Sequence, residues 1–415
     1  MEKSALRHIL AVLICLAGVA PAAFGHGEAG DKPFLKTMTC AYFDVTVAPT
    51  EVAVGEPVTV TGKVRVLETW PSHLDFTGKA FFAPTYPGPV FALKDRWVNG
   101  QEAPGSVFVE KGGVYEFKFV ILGKEPGRYH VHPAVAFENV GSLLGPGEWV
   151  TVKPGGTFTF PVTLMSGATV DLPTYHTQFI WWYNFAIFIV GVIWMLWWTL
   201  AHRTVTNLAV TAQLPVNDDA PDIGLITPRD HRVMNILAGI AMLFLIGGWI
   251  YATNEAPIRL PQQTVWLTPK ALPSGSQLAE AQSLSASYDD ATRTLEMKVS
   301  VKNISQAPIT LRSYITGMAA FVNGGEAEMA KAGPKDFVGH LSVEPNAAIA
   351  PGETKELTLK ISSDIFNTER IIPVRDPEQF TAGLLRFDQT GTGAEEMVLL
   401  SSNVVPTGYT AKYMP

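Results

Sequence analysis

Cysteine is almost missing from these 415 residues. There are two, and because Cys15 falls in an apolar leader, Cys40 alone is left in the body of the chain. One thiol excludes an intrachain disulfide, a two-thiolate metal site and the paired-thiolate dinuclear copper centre of terminal oxidases. Within Thr39-Cys40-Ala41-Tyr42-Phe43, Cys40 reads as small buried packing. Basic charge is also short: 31 Lys plus Arg face 38 Asp plus Glu, a net charge of −7 with no basic cluster, so nucleic acid is excluded as a partner. Charged residues make up only 17% against 47% hydrophobic, a balance that points to membrane segments in a chain long enough for two or three domains.

Those segments are readily located. From Phe179 to Ala201 the only clearly polar interruptions are Asn184 and Thr199, and aromatic belts stand at both ends: Trp181, Trp182 and Tyr183, then Trp194, Trp197 and Trp198. A second run spans Val233 to Tyr251. Arg203, Arg229 and Arg232 lie near the helix ends, whereas no Lys or Arg occurs between Lys153 and Phe179, so the connecting loop is predicted to be cytoplasmic. At the start of the chain, Lys3 and Arg7, an apolar stretch from Ile9 to Ala20, and Ala23-Phe24-Gly25 form a secretory signal with cleavage after Gly25. Export plus two spans puts both large domains in the periplasm, on an inner or intracytoplasmic bacterial membrane. The expected organisation is a signal peptide (1–25), an N-terminal β domain (26–175), two transmembrane helices (176–255, spans 179–201 and 233–251) and a C-terminal β domain (256–415).

The β assignment rests on period-two patterning. Val58, Val60, Val64 and Val66 alternate with a break at Gly62, and turn signals recur at Gly55-Glu56, Pro87-Gly88, Asn99-Gly100, Gly112-Gly113 and Gly145-Pro146-Gly147. In the C-terminal part Leu295, Met297, Val299 and Val301 alternate, as do Leu357, Leu359 and Ile361. The fold class is mainly β, two sandwich or barrel domains of antiparallel strands joined by a transmembrane helical hairpin.

Cleavage after Gly25 makes His26 the first residue. Its amine and its imidazole Nδ1 can then chelate one metal, the more easily because an α-amino group has a pKa of about 7.7 to 8.0. His130 and His132, in Gly127-Arg128-Tyr129-His130-Val131-His132, are alternate residues of a strand, on one face with Cα atoms about 6.6 Å apart. Three imidazoles and an amine suit a tetragonal nitrogen field, which favours copper over zinc. Tyr129 alternates away from that face. His73, His176, His202 and His231 read as surface or interfacial residues, and the C-terminal domain, with His340 alone, is expected to hold no metal.

The order of these parts is specific. With Glu68-Thr69-Trp70-Pro71, Pro87-Gly88-Pro89-Val90-Phe91, the block from Pro126 to Trp149, Pro257-Ile258-Arg259-Leu260-Pro261, Ala382-Gly383-Leu384-Leu385 and Phe387-Asp388, the chain resembles the B subunit of the copper membrane monooxygenases, the family of particulate methane monooxygenase and ammonia monooxygenase. The resemblance covers nearly the whole mature chain. It implies that both β domains are cupredoxin-like and that His26, His130 and His132 are copper ligands. It also implies two polytopic partner subunits, A and C, in a trimer of heterotrimers that uses O2 to hydroxylate methane, ammonia or a short hydrocarbon. Further histidines that hold a second copper in some members align with Ala41 and Arg65 here, neither of which is a usable ligand.

Three other readings compete. A non-enzymatic, membrane-anchored copper-binding or delivery protein explains the histidines but gives the C-terminal domain no task. An autonomous oxidase with an N-terminal His needs no helical hairpin. A terminal-oxidase subunit needs thiolates that are not there.

Overall fold

The computed structural model describes residues 37–72, 74–164, 166–200, 227–255, 266–273, 275, 277–368 and 380–407. The leader, His26, His73, His202, Arg203 and the 257–261 motif lie outside the described residues. The chain forms two compact units, one made of the residues up to Thr157 together with those from Thr264 onward, the other of Phe158–Gln263.

The first unit begins with β1 (Cys40–Ala48), β2 (Glu51–Ala53), β3 (Pro57–Val66), β4 (Lys79–Thr85), β5 (Phe91–Val98), β6 (Gln101–Glu102), β7 (Val107–Phe108), β8 (Val114–Gly123), β9 (Gly127–Phe137), β10 (Gly141–Leu144) and β11 (Glu148–Lys153). They form a two-sheet sandwich, one sheet in the order β1-β3-β8-β5-β6 and the other β2-β11-β9-β4-β7, with β10 beside β9. Alternation makes the core between them: Val58, Val60, Val64 and Val66 from β3 meet Phe117, Phe119 and Ile121 from β8 and Val131, Val135 and Phe137 from β9. Gly62 stands on that same buried face opposite Phe117, and a Cβ there would lie 2.7 Å from the Phe117 ring and 2.8 Å from a Val45 methyl. What the sequence shows as a break in the valine pattern is room for an aromatic ring. Cys40 is 1% exposed in this core, and burial pushes its thiol pKa up, which keeps it neutral.

The second unit contains a small hairpin, β12 (Pro161–Thr163) with β13 (Thr169–Asp171), followed by α1 (Thr177–Leu200) and α2 (Pro228–Glu255). Both helices are long and apolar enough to cross a membrane. Among the described residues nothing buries α1, in contrast to the helix of a soluble core. The helix α2 begins five residues before the expected Val233, because Thr227 and Asp230 build its amino-terminal cap: the Asp230 carboxylate accepts from the Thr227 N–H at 2.8 Å and from its hydroxyl at 2.7 Å, ahead of Pro228 in the first turn. Asp230 also accepts from the Trp197 indole at 2.8 Å, tying the two helices together. Farther along, the Tyr183 ring lies across Gly248 and its hydroxyl donates to the Phe244 carbonyl at 3.0 Å, a close approach that a small residue permits.

After α2, residues 266–273 run back along the first sandwich, where Leu267 accepts from the Phe108 N–H at 2.6 Å and the Leu272 N–H donates to Val114 at 3.0 Å. The chain then enters β14 (Ala279–Asp289), β15 (Thr294–Asn303), β16 (Ile309–Thr316), β17 (Ala319–Val322), α3 (Glu326–Ala332), β18 (Val338–His340), β19 (Ser342–Glu344), β20 (Thr354–Ser362), α4 (Ile365–Thr368), β21 (Phe380–Gln389) and β22 (Glu395–Thr407). Nine strands form one sheet in the order β18-β17-β16-β21-β22-β14-β15-β20-β19. Its two end strands, β18 and β19, are separated in the chain by Leu341 alone, so the sheet curls until its edges almost meet. The expected alternation holds, with Leu295 opposite Ile361, Met297 opposite Leu359 and Val299 opposite Leu357, all in the core. Parallel pairs interrupt the expected antiparallel pattern at β2/β11, β14/β22 and β17/β18. Each joins strands that are distant in the chain or linked by a crossover, as α3 links β17 to β18, which is the connection a parallel pair requires.

Replacing Gly62 by Ala is expected to destabilise the first sandwich by about 1–3 kcal/mol through overpacking against Phe117 and Val45. A thermal melt of the variant beside the parent checks this.

Candidate metal centre

The strand β9 pairs with β11 from Gly127 to Val131 and with β4 from His132 to Phe137, so the two ladders together fix its backbone and hence the direction of each side chain. Val131 points into the sandwich core. Tyr129 lies on that face too, its ring edge-on to Phe91 at 5.8 Å and its hydroxyl donating to the Pro126 carbonyl at 2.9 Å. His130 and His132 take the opposite face with Ala134. That face turns toward the C-terminal domain: Ala134 and Leu144 form one apolar cluster with Met318 and Phe337.

The pair is close and strictly oriented. His132 Nε2 and His130 Nδ1 are 2.8 Å apart, and the ring planes cross at 83°. His132 Nδ1 lies 2.8 Å from the Gly145 carbonyl oxygen. A carbonyl only accepts, so Nδ1 carries a hydrogen and, in a neutral ring, Nε2 presents its lone pair to His130. One proton shared between the rings satisfies the contact, and a metal cation could take the place of that proton. The separation itself suits a metal. Two nitrogens each about 2.0 Å from an ion are about 2.8 to 3.3 Å apart, so the separation of the pair is compatible with two adjacent ligand positions.

Neighbouring residues hold the rings in place. His130 sits directly across from Trp149 in the β9–β11 ladder, and the two rings stack at 4.8 Å and 29°. The Arg128 guanidinium covers the same indole at 4.7 Å. Phe337 lies parallel to His130 at 6.1 Å and edge-on to His132 at 5.9 Å. The buried Gly145-Pro146-Gly147 segment, read from sequence as a turn, orients the site as well. A Cβ on Gly147 would lie 2.6 Å from the His132 ring, and one on Gly145 would lie 2.7 Å from Tyr42, whose hydroxyl donates to the Leu143 carbonyl at 2.6 Å. The repeated glycine was a visible signal, whereas Phe337 lies two hundred residues away in a short turn and had none.

Of the three expected ligands the structure brings together His130 and His132, while His26 lies outside the described residues. Among the described residues no group of three or more His, Cys, Asp or Glu is placed to hold a metal. His340 is exposed at the end of β18, His231 is exposed on the first turns of α2, and His176 Nδ1 is 3.3 Å from the Tyr251 hydroxyl at the start of α1. Ala41 and Arg65 are cross-strand partners in β1 and β3. Ala41 is fully buried against Ile315, Ala320, Ala382 and Leu384 of the C-terminal domain, and Arg65 donates to the Met397 carbonyl at 3.0 Å and to Glu68 at 2.6 Å. Both positions serve the seam between the two β domains.

Comparison with known proteins supplies the family. The model of the monooxygenase B-subunit proteins matches residues 27–408. The chain belongs to the monooxygenase B-subunit family. This B subunit is 29% identical over 411 residues to the particulate methane monooxygenase alpha subunit of Methylococcus capsulatus (strain Bath), covering 96% of each chain. Among solved structures it is similar to the cupredoxin domain of amoB from Nitrosocaldus yellowstonii, with 17% identity, a TM-score of 0.25, and coverage of 31% of this chain and 96% of that one. A protein of unknown function from Porphyromonas gingivalis W83 is similar at 9% identity and a TM-score of 0.18, covering 87% of this chain and 99% of that one.

Because the Gly147 backbone lies against the His132 ring, Gly147→Ala is expected to turn that ring and weaken metal binding by about 10–100-fold, as loss of an orienting contact does. Copper titration followed by circular dichroism checks both the loss and the retention of the β fold.

Proposed function

We propose that this monooxygenase subunit binds one copper ion through His26, His130 and His132 and acts within a membrane complex that uses O2 to hydroxylate methane, ammonia or a short hydrocarbon. The observation that carries the copper assignment is the 2.8 Å His130–His132 contact with His132 Nδ1 committed to the Gly145 carbonyl. Copper bound there would supply a redox-active cation. The chain's own residues would present His132 Nε2 and His130 Nδ1, with the Gly145 carbonyl fixing the His132 tautomer and Phe337 and Trp149 packing against the rings, and the amine and imidazole of His26 would complete the nitrogen set. Methane as the substrate is suggested by the Methylococcus relative, whose name states it.

The complex is proposed to include two polytopic subunits, A and C, in a trimer of heterotrimers, because α1 and α2 by themselves cannot enclose a substrate. Hydroxylating a hydrocarbon needs an apolar, water-excluded pocket, and the apolar groove between α1 and α2, lined by Phe179, Tyr183, Phe244 and Tyr251, is open to its surroundings. Both β domains are proposed to be periplasmic, a reading supported by the leader sequence and by the arginines near the helix ends. The domain bounds proposed are 26–175, 176–255 and 256–415.

Two measurements test this reading. The processed chain should begin at His26 and carry one copper that a His130→Ala, His132→Ala double variant loses. Another starting residue, or undiminished copper in that variant, contradicts the ligand set. The chain expressed without its neighbours should show no monooxygenase activity and gain it only on co-expression with two polytopic subunits, assayed with methane, ammonia and short alkanes. Alcohol or hydroxylamine formation by the lone chain defeats the second claim.

A further inference from the structure

We propose that Phe337 is a positioning residue of the metal centre, so that the C-terminal β domain fixes the geometry of ligands carried by the N-terminal one. The inference rests on the reading of His130 and His132 as copper ligands. Three sets of observations carry it.

The first is how firmly Phe337 is held. It ends a 3-10 turn, Lys335–Phe337, whose entry is set by Pro334 at φ −56°, and its N–H donates to the Pro334 carbonyl at 3.0 Å. Its side chain is 3% exposed. The second is ring geometry. The two imidazoles are nearly perpendicular, and a single benzene ring parallel to one at 15° and upright to the other at 79° packs against both planes. Trp149 also stacks on His130, at 4.8 Å and 29°, so the imidazole has two near-parallel aromatic neighbours that restrict its swing away from His132. The third is the surrounding seat. Phe337 packs with Ala134, two residues beyond His132 on the same strand, and with Leu144, the residue before the carbonyl that orients His132.

Removing the Phe337 ring leaves a void on one side of His130, frees its rotamer and lets water reach the pair. Its predicted consequence is copper that exchanges faster and sits in an altered ligand field, with the two ligands themselves unchanged.

The test uses the full-length chain in its assembled membrane complex, as parent, Phe337→Ala, Phe337→Leu and Ile315→Ala. Ile315 lies in the other apolar cluster of the same seam, against Ala41, Phe43 and Leu67, so its truncation loosens the domain contact away from the rings. Two readouts are taken on the copper that is absent from the His130→Ala, His132→Ala double variant: the rate of removal by a copper(I) chelator after reduction, and the electron paramagnetic resonance spectrum of the oxidised form. Phe337→Ala should release this copper about tenfold faster or more and shift the spectrum, as loss of an outer-shell contact does, with Phe337→Leu intermediate and Ile315→Ala like the parent. Parent-like release and spectrum in Phe337→Ala overturn the proposal, and so does an Ile315→Ala variant that reproduces the Phe337→Ala change. Should Phe337→Ala fail to assemble, parent-like behaviour of Phe337→Leu overturns it. If the parent holds no copper that the double variant loses, the ligand assignment itself fails and this inference falls with it; copper present but indifferent to Phe337 refutes the inference alone.

Discussion

The middle of strand β9, from Val131 to Val135, is buried on both faces, and much of the first unit follows from that constraint. One face, with Val131, Val135 and Phe137, closes the N-terminal sandwich, while the other, with His130, His132 and Ala134, is covered by Phe337 and Met318 of the C-terminal domain. A strand buried twice is usually apolar throughout. Two imidazoles on its outer face therefore need partners. His132 has the Gly145 carbonyl on one side and His130 on the other. Satisfying His132 in this way leaves the facing nitrogens of the two rings 2.8 Å apart.

The second domain is consequently part of the same structural argument as the first. The seam between them combines an apolar cluster of Ala41, Phe43 and Leu67 with Ile315, Ala320, Ala382 and Leu384, a backbone hydrogen bond from Tyr42 to Gly317 at 2.9 Å, and ion pairing of Arg386 with Asp44 at 3.0 Å. Apolar burial contributes most of the attraction, and the partly exposed ion pair adds little energy but fixes register. The side chains that fill this seam at Ala41 and Arg65 occupy the positions where the family resemblance locates a second metal in some members. A methyl group in an apolar cluster and a guanidinium bound to a carbonyl do work of a different kind there.

Much of the architecture was legible along the chain because its causes are local. Period-two apolar residues marked the strands of both domains, long apolar runs marked both long helices, and His130 with His132 were readable as a same-face pair because alternation is a property of the strand itself. Boundaries were less legible where polar chemistry extends an element beyond its apolar run, as at Thr227 and Asp230 ahead of α2. Parallel pairing was not legible, since it depends on which distant strands become neighbours.

The sequence by itself therefore determined the strand patterning, the membrane-length helices and the candidacy of His130 and His132, all of them consequences of residue type at fixed spacing. Only the tertiary structure decided that the rings meet at 2.8 Å, that Gly147 must lack a side chain to lie against His132, and that Phe337 closes the site from another domain. The physical reason is range. Backbone periodicity acts over a few residues, whereas packing joins surfaces whose complementarity is written in parts of the chain two hundred residues apart, where no local pattern can record it.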